Sequence, residues 1–243
     1  MPVYRIPDEL IFPDPELAEE DGLLGVGGDL TPERLLLAYR NGIFPWHEDR
    51  GIPLWWSPDP RCVLFPEKLR ISQSLKRRMK RGGFTVTMDR LFPEVIRQCS
   101  AVPRKGQRGT WITSSFIDAY IRLHEQGHAH SVEVMIDGAL AGGLYGVQVG
   151  RLFCGESMFS LRPDASKIAL VHLVELLRAG QVPLIDCQMA NPYLLSMGAE
   201  EIGRKKYLEH LRQLVTERAE AWSMRSIALR GSAKNTSVRG GTQ

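Results

Sequence analysis

Residues 131–141 constrain the fold more than any other stretch. Ser131-Val-Glu-Val-Met-Ile136 and Ala139-Leu-Ala141 flank the dipeptide Asp137-Gly138. Asp-Gly suits the left-handed backbone of a two-residue hairpin turn, so an antiparallel strand pair is expected here. The chain on either side alternates between strand and helix patterns. Phe84-Thr-Val-Thr-Met88 alternates like a strand, Leu152-Phe-Cys154 continues the meander, and 183–188 reads as a short buried strand. Helical spacing covers 71–81, 92–99, 114–126 and 165–179, and 204–222 contains a last helix, with glycine closing several of these runs. Helices around a central meander predict a layered α/β (α+β) architecture. The order is compatible with an acetyltransferase-like (GNAT-like) fold, an analogy that decides no chemistry.

The first sixty residues read differently. Pro2, Pro7, Pro13 and Pro15 disfavour long helices. Thr31-Pro32 reads as a helix start, with Thr31 as the cap, and the helix is expected to stop at Asn41-Gly42. Phe44-Pro-Trp46 and Leu54-Trp-Trp-Ser-Pro-Asp-Pro60, rich in aromatics and proline, read as loop or edge strand. Residues 1–60 are thus expected to form a small N-terminal domain and 61–222 the larger one. The polar, Gly/Ser-rich tail 223–243 is expected to be disordered.

Composition narrows the function classes. With 243 residues, 43% hydrophobic and 24% charged, the chain is long enough to bury a proper core. No apolar run reaches the ~18 residues that span a bilayer, and the acidic start is not expected to act as a signal peptide. Cys62, Cys99, Cys154 and Cys187 form no CxxC pair, which fits structural thiols in a reducing, cytoplasmic setting. The net charge of +3 conceals a partition. Residues 1–35 hold nine acids and two bases, while 61–108 hold thirteen bases and three acids. Within the basic block, Lys76, Arg77, Arg78, Lys80 and Arg81 lie on one predicted helix, and Arg104, Lys105 and Arg108 extend the run. A solvated helix face explains such a run as well as a ligand does. The scarcity of acids and the nearby tryptophans Trp46, Trp55 and Trp56, read as exposed, favour a nucleic-acid partner. Neither an RNA-recognition motif nor a KH signature is present, so the target is expected to be a shape or a free end.

Few residues can do chemistry. Glu156 sits in the apolar run Phe153-Cys-Gly-Glu-Ser-Met-Phe159, either as an exposed loop carboxylate or as an acid in a pocket. Asp186 and Gln188 flank Cys187, and strand alternation places both on one face, where an acid and an amide can orient and polarise a nucleophile. Cys187 then points toward the core. His124, His128 and His130 cluster at a helix end, where structural roles prevail. The serine-hydrolase elbow, Walker A, dinucleotide and acetyl-CoA pyrophosphate signatures are all missing.

At these residues the sequence resembles the bacterial leucyl/phenylalanyl-tRNA–protein transferases. The resemblance is carried by GLLGVGGDLTPERLLLAYRNGIFPW (22–46), LWWSPDPR (54–61), GTWIT (109–113), AYIRLHEQGHAHSVEV (119–134), LFCGESMFS (152–160), ASK (165–167) and LIDCQ (184–188). It implies a small N-terminal domain joined to an acetyltransferase-like domain. The implied activity moves Leu or Phe, and Met less well, from aminoacyl-tRNA to proteins beginning with Arg or Lys, marking them for degradation. No cofactor is then needed, because the ester is already activated, and the implied state is a monomer. Residue by residue, the resemblance implies Asp186 and Gln188 as the catalytic pair, with Gln188 near the attacking amine and Asp186 polarising it. Trp46, Trp111, Tyr120 and Glu156 would hold the aminoacyl-adenosine end. Phe153, Met158, Leu170, Leu173 and Ile185 would form the side-chain pocket. Lys76, Arg77, Arg78, Lys80 and Arg81 would bind tRNA. The competing readings are an acyl-CoA-dependent N-acetyltransferase and a non-catalytic RNA-binding module.

Overall fold

The computed structural model describes residues 3–49, 51–101 and 111–216. The tail 223–243 and Arg104, Lys105 and Arg108 lie outside the described residues. Two sheets organise the rest. The first contains β1 (Tyr4–Ile6), β2 (Leu23–Gly27), β3 (Phe44–Asp49) and β4 (Ile52–Trp56), in the order β1-β2-β4-β3. The second contains β5 (Arg61–Leu64), β6 (Thr85–Met88), β7 (Ala129–Ile136), β8 (Ala139–Val149), β9 (Leu152–Ser160), β10 (Leu184–Gln188) and β11 (Glu200–Ile202), in the order β11-β5-β10-β9-β8-β7-β6. Helices α1 (Pro32–Arg40), α2 (Gln73–Arg81), α3 (Phe92–Ala101), α4 (Ser114–Glu125), α5 (Ala165–Ala179), α6 (Pro192–Ser196) and α7 (Arg204–Thr216) complete the described chain. The architecture is mixed α/β, as the alternation predicts.

The hairpin forms where Asp-Gly demands it. Ile136 pairs with Ala139, and both Asp137 and Gly138 take positive φ, the conformation that matches strand twist in a two-residue turn. Pairing within the larger sheet is antiparallel except between β9 and β10. A parallel pair needs a crossover, and α5 supplies it. One face of this sheet packs against α1, α3, α4 and α7, around Phe92, Phe116, Tyr120 and Tyr207. The other face packs against α5 and α2, around Ile168, Leu173, Val174 and Leu177. Each such aliphatic side chain taken out of water contributes ~1.5–3 kcal/mol, which is why α5 is buried along most of its length.

Two readings of the first sixty residues change. Phe44-Pro-Trp46 lies in β3, an edge strand as expected, and 57–60 form no strand, but Leu54-Trp-Trp56 belongs to β4, which lies inside its sheet rather than at the edge. Trp55 is fully buried, donates Nε1–H to the Gly27 carbonyl at 2.8 Å and meets the Phe12 ring edge-on, so it is core rather than an exposed stacking platform. Thr31 sits at the cap position of α1 without a capping bond. Its backbone N–H and hydroxyl both donate to Asp29 Oδ1, which closes the preceding turn instead.

Candidate active site

A cavity of about 410 Å³ opens on the larger sheet where β9 and β10 separate. Their ladder ends at Asp186 opposite Cys154, and beyond it the strands diverge. Two bulges shape the opening. On β9 the register slips between Tyr145 and Gly146, opposite Ser157 and Gly155, which leaves Glu156 as the extra residue. On β10 it slips between Asp186 and Gln188, which leaves Cys187 extra. A bulge resets strand alternation. Phe153 and Met158, five residues apart and so due on opposite faces, therefore both line the cavity. Phe153 lies over Gly146, where a Cβ would stand 2.5 Å from the ring and 2.3 Å from the Cys154 carbonyl, so only glycine allows this approach.

Leu170 and Leu173 from α5, with Ile185 from β10, complete the apolar wall that the resemblance implies. Trp46 and Trp111 line the same cavity, and Trp46 is fixed edge-on against Trp56, whose Nε1–H donates to the Trp46 carbonyl. Tyr120 does not reach the cavity. It is fully buried behind Glu156, to which its hydroxyl donates.

Glu156 is the polar centre. It is 9% exposed and accepts hydrogen bonds from Gln188 Nε2 to Oε1 at 2.8 Å and from Tyr120 Oη to Oε2 at 2.9 Å. The Tyr120 hydroxyl in turn meets the Tyr39 hydroxyl at 2.5 Å. Burial pushes the Glu156 carboxyl up to about 7, and the nearby Asp186 charge adds to this. The hydrogen bonds from Tyr120, Tyr39 and Gln188 restrain the rise. Burial also raises both tyrosine hydroxyls well above their usual range, so they remain protonated. Glu156 is therefore a pocket carboxylate on a strand, not an exposed loop acid.

Asp186 and Gln188 are unlike in position. Asp186 is 1% exposed, and its two oxygens take four donors. Arg61 Nε and Nη2 donate at 2.8 and 2.7 Å, Tyr207 Oη at 2.8 Å and the Gln188 backbone N–H at 2.9 Å. It does not line the cavity, whereas Gln188 does. Gln188 adopts φ +63, a left-handed conformation that costs a non-glycine residue ~1–3 kcal/mol unless its surroundings hold it. Simple alternation would put both side chains on one face. The bulge instead sends Asp186 toward Arg61 and Gln188 toward Glu156. With Nε2 committed to Glu156, the amide presents its carbonyl oxygen as the remaining acceptor. Cys187 lines the cavity and, partly buried, also packs against the core cluster beneath it. Its thiol is raised well above the ordinary range by a hydrogen bond shared with Cys62 and by burial, which keeps it from acting as a thiolate nucleophile.

The basic helix stands apart. On α2, capped by Ser72 Oγ accepting from the Leu75 N–H, Leu75 is buried while Lys76, Arg77, Lys80 and Arg81 are exposed. Arg78 differs. It is half-buried, donates to the Gly82 carbonyl at 2.6 Å and lies over the Phe84 ring. The histidines serve packing, as expected: His124 stacks on Phe92 and His130 Nδ1 meets Asp89 Oδ2 at 2.8 Å.

Sequence reasoning missed Phe44, Tyr193 and Leu194 in the cavity wall and Arg61, Tyr39 and Tyr207 behind it. Only Asn191-Pro192, which does cap α6 through Asn191 Oδ1, hinted at the segment that brings Tyr193 and Leu194 in.

Comparison with known proteins decides the kinship. The family model described as leucyl/phenylalanyl-tRNA protein transferase matches residues 63–212, and that of its N-terminal domain matches 28–59. The chain belongs to the leucyl/phenylalanyl-tRNA–protein transferase family. A relative of that name from Syntrophobacter fumaroxidans is 56% identical over 91% of this chain and 96% of its own length. Another from Anaeromyxobacter sp. strain Fw109-5 is 57% identical over 87% and 90%. Among solved structures, a GCN5-related N-acetyltransferase from Kribbella flavida aligns with a TM-score of 0.36 and 10% identity over 68% of this chain and 58% of its own. The transferase is thus an aminoacyl-tRNA–protein transferase, with aminoacyl-tRNA and protein as its substrates. Among the described residues, no helix is long and apolar enough to cross a membrane.

Proposed function

We propose that this enzyme moves Leu or Phe, and Met less well, from aminoacyl-tRNA to the α-amine of proteins whose first residue is Arg or Lys, marking them for degradation in the cytoplasm. The observation that carries the reading is the Gln188–Glu156–Tyr120 chain of hydrogen bonds set into an apolar cavity. Phe153, Met158, Leu170, Leu173 and Ile185 receive the aminoacyl side chain. A wall of this kind separates side chains that differ by a methylene only ~10–200-fold, so Leu, Phe and Met are all accepted. Trp46 and Trp111 offer faces for the terminal adenosine.

The ester is already activated, so the reaction needs no cofactor. The acceptor nitrogen attacks the ester carbonyl carbon, a C–N bond forms, and the C–O bond to the terminal ribose breaks. The amine's proton ends on the departing ribose hydroxyl. Gln188 accepts a hydrogen bond from the amine and aims it, which is proximity catalysis. Glu156, poised near neutrality, attracts the incoming ammonium and holds a proton in transit. Asp186 touches no substrate and positions Gln188. On α2, Lys76, Arg77, Lys80 and Arg81 grip the tRNA backbone, and the enzyme acts as a monomer.

The test incubates the protein with labelled Leu-tRNA and a peptide beginning with Arg. Transfer of label to the peptide's α-amine is expected. Modification that requires acetyl-CoA instead would establish the N-acetyltransferase alternative, and tRNA binding without transfer would establish the RNA-binding one.

A further inference from the structure

Arg61 lies outside the cavity yet joins three of the elements that build it. Its guanidinium is 1% exposed and forks onto both oxygens of Asp186, while Nη1 donates to the Gly42 carbonyl at 3.1 Å. Gly42 belongs to the turn that delivers Phe44 and Trp46 to the cavity wall. The aromatic rings of Phe44 and Tyr207 flank the guanidinium, at 4.8 and 4.5 Å from its carbon. Tyr207 Oη adds a further donor to Asp186. The remaining valence of the carboxylate goes to the backbone N–H of Gln188, the residue held in a left-handed conformation.

We propose that Arg61, assisted by Tyr207, is a positioning residue for transfer. It locks the Asp186 carboxylate, and Asp186 holds the bulged backbone that aims the Gln188 amide at the acceptor amine. This rests on the function proposed above. A planar fork is needed: a lysine would keep the charge but could not bridge both carboxylate oxygens and the carbonyl.

The experiment is a double-mutant cycle on the full chain, using single-turnover transfer from Leu-tRNA to an Arg-initiated peptide. Arg61→Lys is expected to lower the transfer rate by about 30–100-fold, with KM for Leu-tRNA within about twofold, since ångström-scale misplacement costs rate rather than binding. Tyr207→Phe keeps the ring against Arg61 and is expected to lower the rate by about 3–10-fold. In a Gln188→Ala background, neither change is expected to cost more than about twofold, because its effect passes through Gln188. A merely structural role would give the same loss with and without the Gln188 side chain, or would raise KM as much as it lowers the rate, and either result overturns the inference. Should Arg61→Lys fail to fold, Tyr207→Phe decides the matter by the same comparison. If Gln188→Ala alone transfers at the wild-type rate, the reading of the site falls along with this one. If Gln188→Ala is slow but the losses are additive, only the role of Arg61 falls.

Discussion

Arg61 and Arg77 come from the same basic block of sequence, and the fold puts them to opposite uses. Arg61 is buried in a bidentate pair with Asp186, between two aromatic rings. Arg77 stands exposed on α2, on a helix that contains no acid. A buried charge interacts strongly and must be fully partnered, so Arg61 confers geometry. An exposed one is screened and keeps its reach for a mobile polyanion, the use proposed for Arg77. On that proposal, the cavity and the basic helix divide the work between low-dielectric positioning and long-range attraction.

The sharpest way to break this contrast is to unpair the buried side. Asp186→Ala strands the Arg61 guanidinium, so a loss of about 3–5 kcal/mol in stability is expected by denaturant unfolding. Transfer should fall about a thousandfold in the protein that remains folded, while tRNA affinity stays within severalfold. Equal losses in turnover and in tRNA binding would remove Asp186 from the catalytic assembly.

Glu156→Gln comes next, with an expected drop in transfer of about 100-fold and a changed pH profile. In the wild type, rate rises through about pH 7 as the Glu156 carboxyl loses its proton; the variant should lack that inflection. Stability carries the opposite sign. A carboxyl whose folded-state affinity for protons is raised favours the folded state at low pH, so the wild type loses stability between about pH 4.5 and 7. Denaturation midpoints across that window should be flatter for Glu156→Gln.

On the exposed side, neutralising Lys76, Arg77, Lys80 and Arg81 together should weaken all tRNAs alike and reduce the slope of log K against log salt by about 3. An unchanged slope would return α2 to an ordinary solvated face. A Leu170→Ala enlargement of the cavity should shift preference toward Phe over Leu by about tenfold, measured as a ratio of kcat/KM. The smallest effect belongs to Arg78→Gln. That side chain is already engaged with the Gly82 carbonyl and Phe84, so tRNA affinity should change by no more than about twofold.

Much of the fold was legible in local pattern. The Asp137-Gly138 hairpin, the helices at 92–101 and 165–179 and the basic helix all follow from spacing, turn chemistry and caps, which act over a few residues. The edge strand β3 was within reach of the sequence, but the central place of β4 was not. Proline and tryptophan argue locally for a loop or an edge strand, but burying Trp55 between Phe12 and the Gly27 carbonyl outweighs that preference. The cavity lining was legible by residue type and resemblance, in Glu156, Gln188 and the apolar wall. Its bulged geometry was hidden, because a bulge is a mismatch between two strands and no single strand encodes it. Period-two reasoning placed Asp186 beside Gln188, and the register slip at β10 undid it, while Cys187, turned toward the core by the same reasoning, packs against it and also reaches the cavity.

By itself, then, the sequence determined the hairpin-centred α/β plan, the basic block and the kinship that names the chemistry, because propensity, turn residues and long shared motifs are properties of contiguous chain. Only the tertiary structure decided that Asp186 faces a buried arginine 125 positions away while Gln188 faces Glu156. It also decided that one arginine of the basic block belongs to the interior. These outcomes depend on which strands pair, where their register slips and how far each group is withdrawn from water. Burial and register are relations between distant segments, and they alone turn Glu156 from a surface acid into a group poised near pH 7.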